Sequence, residues 1–148
     1  MPDEPFVPAE FAVPESLVTQ LFRLEALRPE HNERDYAAWT SSVEHIHSSP
    51  GFESSRWPHE MSLAENLADL EGHARDFANR TGFTYSVLEG DDVIGCVYVY
   101  PDREGNHDAS VRSWVRADRD ELDVPLRHAV AGWLAADWPF ASVDYDLG

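Results

Sequence analysis

The run from Val93 to Tyr100 constrains the fold most strongly, because it is apolar on both of its faces. One face is predicted to carry Val93, Val97 and Val99, and the other Ile94, Cys96 and Tyr98. A strand of that kind must be covered on both sides. The preceding β-rich run, Phe83 to Glu89, is joined to it through Gly90-Asp91-Asp92, which is typical of a β-hairpin. The chain is therefore predicted to place a central sheet between two layers of other structure.

Three further segments are predicted to be strands. From Ala109 to Arg116 the side chains alternate, with Val111 and Val115 on one face and Arg112, Trp114 and Arg116 on the other. Residues 17–27 alternate roughly and end before Pro29, which predicts a first strand. Residues 140–145 follow Pro139 and predict a short last strand.

Three helices are predicted from capping residues and apolar spacing. Asn32 can cap the amide of Asp35, and an apolar stripe follows until Pro50, formed by Tyr36, Trp39, Val43 and Ile46. Ser62 and Glu65 have capping-box spacing, and the face after them is formed by Leu63, Leu67, Leu70, Ala74 and Phe77. Asp123 is predicted to cap the last helix, which begins near Pro125 and ends before Pro139.

The predicted order is β-α-α-β-β-β-α-β, which is an α/β (α+β) arrangement. We expect one domain over residues 16–148, since 148 residues fall within the size of a single domain. Residues 1–15 carry four prolines with acids between them, and they are predicted to form an extended arm.

Charge excludes one class of partner. The 28 acidic residues face 11 basic ones, which gives a net charge of -17, so nucleic acid would be repelled. Every basic residue is an arginine, which excludes a lysine Schiff base and a P-loop lysine. The seven histidines lack ligand spacing, so no metal site is predicted.

The single cysteine, Cys96, lies in an apolar run, where it is predicted to be a small buried side chain. It cannot form an internal disulfide, which favours a reducing compartment. The first residues lack the pattern of a signal peptide, and no apolar stretch is long enough for a membrane span. We therefore expect a soluble, cytoplasmic protein without a membrane partner.

The element order resembles that of the GNAT superfamily of acyl-CoA-dependent N-acyltransferases over roughly residues 17–145. The resemblance is carried by Phe83-Thr-Tyr-Ser-Val-Leu-Glu, by Val93-Ile-Gly-Cys-Val-Tyr-Val-Tyr-Pro, and by the Ser113-Trp-Val-Arg-Ala-Asp stretch before the last helix. It implies a mixed, mostly antiparallel sheet with helices on both faces. It also implies transfer of an acyl group from acetyl-CoA, or another acyl-CoA, to a primary amine of a small molecule or a peptide.

The resemblance also implies where the substrates bind. In that family the strand matching Ala109 to Arg116 and the turn after it hold the cofactor, which here corresponds to Trp114, Val115, Arg116, Ala117 and Arg119. The residues themselves predict a substrate-binding set of Trp57 and Glu60 in the loop before the second helix, with Tyr98, Tyr100 and Arg112. Trp57 and the two tyrosines are also candidates for the core. Arg112, Trp114 and Arg116 share one predicted face, which suits an anionic ligand. The alternative, which the surplus of acids favours, is that the arginines pair with nearby carboxylates.

Two features depart from the family pattern. The loop from Arg116 to Pro125 has no glycine and more acids than arginines, which predicts weak binding of a pyrophosphate. The family's tyrosine general acid lies beyond the strand at 140–145, so no residue of this sequence inherits that role and no catalytic residue is assigned. A competing prediction is therefore a non-catalytic module that binds a small molecule or a partner protein. An edge position of the last strand would also favour a homodimer.

Overall fold

The computed structural model describes residues 5–148, which form one six-stranded sheet in the order β1-β2-β3-β4-β5-β6. The strands are β1 (Ser16–Val18), β2 (Arg23–Ala26), β3 (Phe83–Glu89), β4 (Asp92–Tyr100), β5 (Ala109–Val115) and β6 (Val143–Asp144). Neighbours from β1 to β5 are antiparallel, whereas β6 runs parallel to β5. The predicted hairpin of β3 and β4 is confirmed.

The predicted first strand is wrong in one respect, because residues 17–27 form a hairpin of two short strands. The turn is closed by Thr19, whose hydroxyl donates to the carbonyl of Phe22 at 2.8 Å and accepts from the amides of Leu21 and Phe22. The last strand is also shorter than the predicted 140–145 and occupies only Val143–Asp144.

The helices are α1 (Asn32–Thr40), α2 (Val43–His47), α3 (Leu63–Ala78) and α4 (Asp123–Asp137). The capping box that begins α3 is confirmed, since the Ser62 hydroxyl accepts from the Glu65 amide at 3.1 Å and the Glu65 carboxylate accepts from the Ser62 amide at 2.9 Å. Its predicted apolar face is only partly correct, because Leu63 is 41% exposed.

Two other helix predictions are wrong. Residues 32–50 form two helices, interrupted at Ser41 and Ser42, and Asn32 does not cap α1 but donates to the carbonyl of Leu63 at 3.2 Å. Asp123 does not cap α4 either: it lies in the first turn, and its carboxylate contacts His45 at 2.7 Å.

The two faces of the sheet are covered by different helices, as predicted. On one face α4 packs with Leu126, Val130 and Leu134 against apolar side chains of β2 to β5. On the other face α1, α2 and α3 pack with Trp39, Ile46 and Leu70. The fold class predicted from the sequence is thus confirmed.

The alternation predicted for β4 is wrong across its first residues. Val87 pairs with Gly95 and Leu88 with Val93, so the register shifts by one residue. This shift brings Ile94 to the same face as Val97 and Val99, and it brings Val93 to the face of Cys96. A β-bulge produces that effect because its extra residue inverts the side-chain alternation.

The described part of the predicted arm, residues 5–15, contains no helix or strand but packs on the domain. Val7 is buried, and the Phe6 ring stacks on Phe83 and Phe140 with centroid distances of 5.7 and 5.2 Å. The first four residues of the predicted arm lie outside the described residues. Among the residues that are described, no helix is both long and apolar enough to cross a membrane.

Candidate active site

A cleft of about 930 Å³ opens on the face of the sheet that α1 and α3 cover. It is bounded by α3, by the last residues of β4, by Ser110 and Arg112 of β5, and by Asp144 of β6. The strands β5 and β6 pair only through Ala109 with Val143 and Ser110 with Asp144. Beyond Ser110 the outer edge of β5 has no strand partner among the described residues. The cleft therefore lies where two parallel strands diverge.

Aromatic side chains form one wall of the cleft. The Arg112 guanidinium lies over the Phe52 ring at 4.7 Å and over the Tyr98 ring at 5.9 Å. Trp57 packs beside them, with its ring centroid 6.0 Å from that of Phe52 and 6.0 Å from that of Trp114. An arginine in cation–π contact keeps its charge while its hydrocarbon part is covered, so Arg112 can remain in the cleft without an acidic partner.

Carboxylates outnumber guanidinium groups around the cleft. Among residues 5–148, two arginines line it, Arg103 and Arg112. The acidic lining residues are Asp35, Asp69, Asp76, Asp102, Glu104 and Asp144. Carboxylates that border one low-dielectric cleft raise the local concentration of cations and repel anions. The cleft is thus suited to a cationic ligand.

Asp35 is the most deeply buried of these carboxylates, with 5% of its surface exposed. Its Oδ2 atom accepts a hydrogen bond from the side-chain amide of Asn66 at 3.0 Å, and that amide also donates to Asn32 at 2.8 Å. Burial raises the pKa of Asp35 to about 6, with a smaller raising effect from the nearby Asp69 charge. A cation in the cleft would stabilise the ionised form of this carboxylate.

A chain of hydrogen bonds joins α3 to β4 at the side of the cleft. The Tyr100 hydroxyl donates to the Asp76 Oδ2 atom at 2.8 Å, and the same hydroxyl oxygen lies 2.8 Å from the Nδ1 atom of His73. The Thr84 hydroxyl also lies 3.3 Å from His73 Nδ1. Burial raises the pKa of Tyr100, so its phenol stays protonated.

Four of the five predicted substrate-binding residues line this cleft: Trp57, Tyr98, Tyr100 and Arg112. Glu60 does not; it is exposed and does not border the cleft. Asp35, His73 and Asp76 were not singled out from the sequence. The spacing of Asn66, His73 and Asp76 on one capped helix was a usable signal, because residues three and seven apart share a helix face. Nothing in the sequence paired that face with Tyr100.

The predicted cofactor-binding residues are not arranged as an open anion site. Trp114 and Val115 are buried, and the Trp114 indole N–H donates to the Tyr98 hydroxyl at 3.0 Å. The Arg116 guanidinium pairs with Asp118 at 2.8 Å, and that of Arg119 pairs with Glu89 at 2.7 Å. The predicted stripe of Arg112, Trp114 and Arg116 is thus divided between the cleft wall, the core and a surface ion pair.

The loop after β5 is a 3-10 helix, Ala117–Leu122, that leads directly into α4. The amide of Arg116, just before this helix, donates to the Ile94 carbonyl at 2.7 Å. Within the helix, the amide of Ala117 donates to the Ser42 hydroxyl at 2.8 Å and that of Arg119 to the Arg116 carbonyl at 2.9 Å. The Asp123 amide donates back to the Asp120 carbonyl. A pyrophosphate cradle needs free backbone amides, and this loop does not fit that requirement.

The unpaired outer edge of β5 does fit an extended pantetheine arm, because a strand edge offers alternating N–H and C=O groups. The contact of the Ser113 hydroxyl with the Tyr145 hydroxyl, at 2.5 Å, is made by side chains and leaves the main-chain groups of β5 unused. A thioester donor would thus find a backbone partner along β5, but not a phosphate site at α4.

Neither a reactive thiol nor a metal site is found among the described residues. Cys96 is fully buried, and burial raises the pKa of its thiol well above the usual value. Within residues 5–148, no group of three His, Cys, Asp or Glu side chains is placed to hold a metal ion.

No protein-family model matches the chain, and no curated protein is detectably similar to it in sequence. Solved structures are similar in shape. RimL, a ribosomal L7/L12 alpha-N-protein acetyltransferase, superposes with a TM-score of 0.61 at 12% identity over 82% of this chain. MccE, a microcin C7 self-immunity acetyltransferase solved with acetyl-CoA and AMP, gives 0.57 at 11% identity over 81% of this chain.

A third solved structure, a proposed ribosomal-protein-serine acetyltransferase from Vibrio cholerae, gives a TM-score of 0.59 at 15% identity over 80% of this chain. These proteins are GNAT-family acetyltransferases. The chain has the GNAT fold. It spans 65% of the length of the Vibrio cholerae structure, 66% of RimL and 67% of MccE.

Proposed function

We propose that this protein is an N-acyltransferase that transfers an acyl group from an acyl-CoA thioester to a primary amine bound in the cleft. One observation carries the proposal: in a GNAT fold, the acid-lined cleft opens where β5 and β6 diverge. That position lets one substrate lie along the free edge of β5 while the other approaches from the cleft.

The donor is acetyl-CoA or another acyl-CoA. Its pantetheine arm would pair with the main chain of β5 beyond Ser110, which supplies orientation without any side chain. The loop Ala117–Leu122 would contribute little to the pyrophosphate, so we expect weaker binding than in a protein with a glycine-rich cradle. RimL with coenzyme A and MccE with acetyl-CoA support this choice of donor by their shared fold.

The acceptor is an amine of a small molecule or a peptide. The six lining carboxylates attract its ammonium form, and the rings of Phe52, Trp57 and Tyr98 cover its hydrocarbon part. RimL is a ribosomal L7/L12 alpha-N-protein acetyltransferase and MccE a microcin C7 self-immunity acetyltransferase, so the shared fold does not decide between a peptide and a small molecule.

The reaction needs positioning more than a nucleophilic side chain. The neutral amine forms a C–N bond to the thioester carbonyl, the C–S bond breaks, and the leaving thiolate takes a proton released by the amine nitrogen. Holding both reactants at a strand divergence lowers the entropy lost in reaching the transition state. A main-chain N–H of β5 would stabilise the developing oxyanion.

Two measurements test this function. Millimolar acetyl-CoA should raise the melting temperature, because a ligand that binds only the native state stabilises it. Incubation with acetyl-CoA and 2-phenylethylamine, 1,4-diaminobutane or a Ser-Ala dipeptide should release free thiol and yield an acetylated amine detectable by mass spectrometry. Absence of both effects would refute the proposal.

A second candidate is a non-catalytic module that binds an amine in the same cleft. The occupied amides of Arg116 and Ala117 favour it, because they remove donors that a CoA pyrophosphate would use. Under this alternative the amines above raise the melting temperature while acetyl-CoA has no effect and no thiol is released.

A further inference from the structure

His73, Tyr100 and Asp76 form a connected chain that ends in the cleft. Asp76 and His73 are three residues apart on α3, so both face the same side of the helix. Tyr100 of β4 lies between them, with its hydroxyl 2.8 Å from Asp76 Oδ2 and 2.8 Å from His73 Nδ1. All three residues line the cleft.

This geometry fixes the position of the protons. An ionised carboxylate only accepts, so the hydrogen between Tyr100 and Asp76 belongs to the Tyr100 phenol. The phenol has a single hydrogen, and its oxygen must therefore accept from His73, which places a hydrogen on Nδ1. In a neutral imidazole the other nitrogen, Nε2, then carries the lone pair.

The Nε2 atom is available for chemistry. Among residues 5–148, no group forms a hydrogen bond with His73 Nε2. The atom is also not fully buried, so a ligand in the cleft can reach it. The His73 ring lies 5.6 Å from the Tyr98 ring, and Tyr98 is the cross-strand partner of Arg112. Tyr100 in turn pairs with Ser110, the last residue of β5 that pairs with β6. His73 thus stands beside the point where the strands diverge.

We propose that His73 is the general base that deprotonates the acceptor amine, and that Tyr100 and Asp76 are positioning residues that hold its tautomer. The inference rests on the acyl transfer proposed above. The ammonium nitrogen gives one proton to Nε2, so an N–H bond breaks and an Nε2–H bond forms. The neutral amine then attacks the thioester carbonyl, and His73 later returns its proton to solvent.

The charges around His73 suit this role. Burial lowers its pKa below the usual value near 6.5, and the Arg112 charge acts in the same direction. The carboxylates of Asp76 and Asp69 act in the opposite direction. The remaining polar groups against it are the Tyr98 and Tyr100 phenols and the Thr84 hydroxyl. At neutral pH the imidazole is therefore unprotonated, and Asp76 can offset the charge it gains.

A first experiment reads the tautomer without any substrate. In histidine-labelled protein, nitrogen NMR of His73 at pH 8 should show a neutral ring with the hydrogen on Nδ1. Tyr100→Phe removes the acceptor and should abolish this preference. Asp69→Asn is the matched control: it removes a carboxylate that acts on the same pKa but does not bond to Tyr100, so the tautomer should persist. A wild-type ring with the hydrogen on Nε2 would overturn the proposal.

A second experiment measures kcat/KM against pH with acetyl-CoA and whichever of the three amines reacts. His73→Gln, whose amide can still donate to Tyr100, should lose about 10²-fold or more and lose the acid limb of the profile. Asp76→Asn should lose roughly tenfold and move that limb to lower pH. Glu71→Gln, exposed on the same helix, should behave as the wild type, and thermal melts should show that every variant is folded.

The outcomes distinguish the assignment of His73 as general base from the proposed acyl transfer itself. If the wild type acetylates an amine and folded His73→Gln keeps its rate and pH profile, the base assignment is overturned while the function stands. If the wild type transfers no acetyl group to any of the three amines, the function and the catalytic role of His73 fall together. Loss of rate with an unchanged pH profile in His73→Gln would show a structural role and would also overturn the base assignment.

Discussion

Asp35 is a charged group that the core holds at a cost. Its pKa is about 6 in the folded protein against 3.8 as the reference value, so the folded state binds more protons between these two pH values. The free energy of unfolding must then fall as the pH rises through this window. Two pKa units correspond to about 3 kcal/mol of destabilisation by the ionised Asp35 carboxylate. This destabilisation is absent below pH 4 and complete above pH 6.

Asp35→Asn should therefore stabilise the protein at pH 8 by up to about 3 kcal/mol and change little at pH 4. The asparagine oxygen can still accept from Asn66, so the hydrogen bond survives. Urea unfolding at both pH values checks this, with Glu71→Gln, a substitution at an exposed carboxylate, as the control. A stability difference that does not depend on pH would contradict it. The same variant should weaken binding of the three amines.

The Tyr100 ring packs so close to the Gly82 backbone that residue 82 must be a glycine. A Cβ built at residue 82 would overlap that ring, so a side chain here must displace Tyr100. Gly82→Ala should lower stability by about 1 to 3 kcal/mol and disturb the Nδ1–H tautomer of His73. Gly72→Ala is the control, because a Cβ at residue 72 meets only the Arg75 guanidinium, at 3.7 Å. This variant should stabilise α3 by about 0.5 to 1 kcal/mol. Equal melting temperatures of the two variants would contradict the prediction.

The sequence indicated some residues of the cleft but not their chemistry. Tyr98, Tyr100 and Arg112 were found because one strand pair places them at neighbouring positions. Asp35 and His73 were missed because their partners, Asn66 and Tyr100, lie 31 and 27 residues away in the chain. Burial and hydrogen bonding across such separations determine the pKa of a side chain, and neither can be found from local spacing.

At the scale of elements, prediction succeeded where the signal was local. The capping box of α3 and the Gly90 turn each consist of residues within one short segment. The β1–β2 turn was missed because Thr19, rather than a glycine or proline, closes it. The break between α1 and α2 was missed because the Ser42 hydroxyl accepts from a donor 75 residues away in the chain, the Ala117 amide.

The acidic residues of the 3-10 helix Ala117–Leu122 are expected to weaken acyl-CoA binding. Asp120 and Glu121 are exposed there, in the loop that would lie next to the pyrophosphate if acyl-CoA binds as we propose. Changing both to Gly should strengthen acetyl-CoA binding severalfold, because it removes two repelling charges and frees the backbone to offer amides. Salt should reduce the gain, since it screens the repulsion.

Calorimetric titration at low and high salt measures this effect. Asp120→Asn with Glu121→Gln is the matched control, since it removes the charges without loosening the backbone. If the control binds as tightly as the glycine variant, charge alone sets the affinity. Equal or weaker binding by the glycine variant would refute the prediction.

At the scale of the whole molecule, charge opposes self-association while the sheet edges favour it. The net charge of -17 makes two copies repel each other at low salt. Both edge strands are short, with three residues in β1 and two in β6. The edge at β6 was expected from the sequence to favour a homodimer. The edge at β1 presents large exposed apolar side chains, since Val18 of β1 is 76% exposed and Leu21 of the turn after it is 54% exposed.

We therefore predict a homodimer that forms through β1 and strengthens with salt. Unpaired N–H and C=O groups of an edge strand, next to exposed apolar side chains, are satisfied when a second copy adds its own strand. Sedimentation at 0.02 and about 1 M NaCl should show more dimer at the higher concentration, where the Debye length is about 3 Å. Val18→Glu with Leu21→Glu should abolish the dimer, whereas Asp144→Asn on the β6 edge should not. A monomer at high salt would exclude association, and a dimer that survives the β1 variant would place the interface elsewhere.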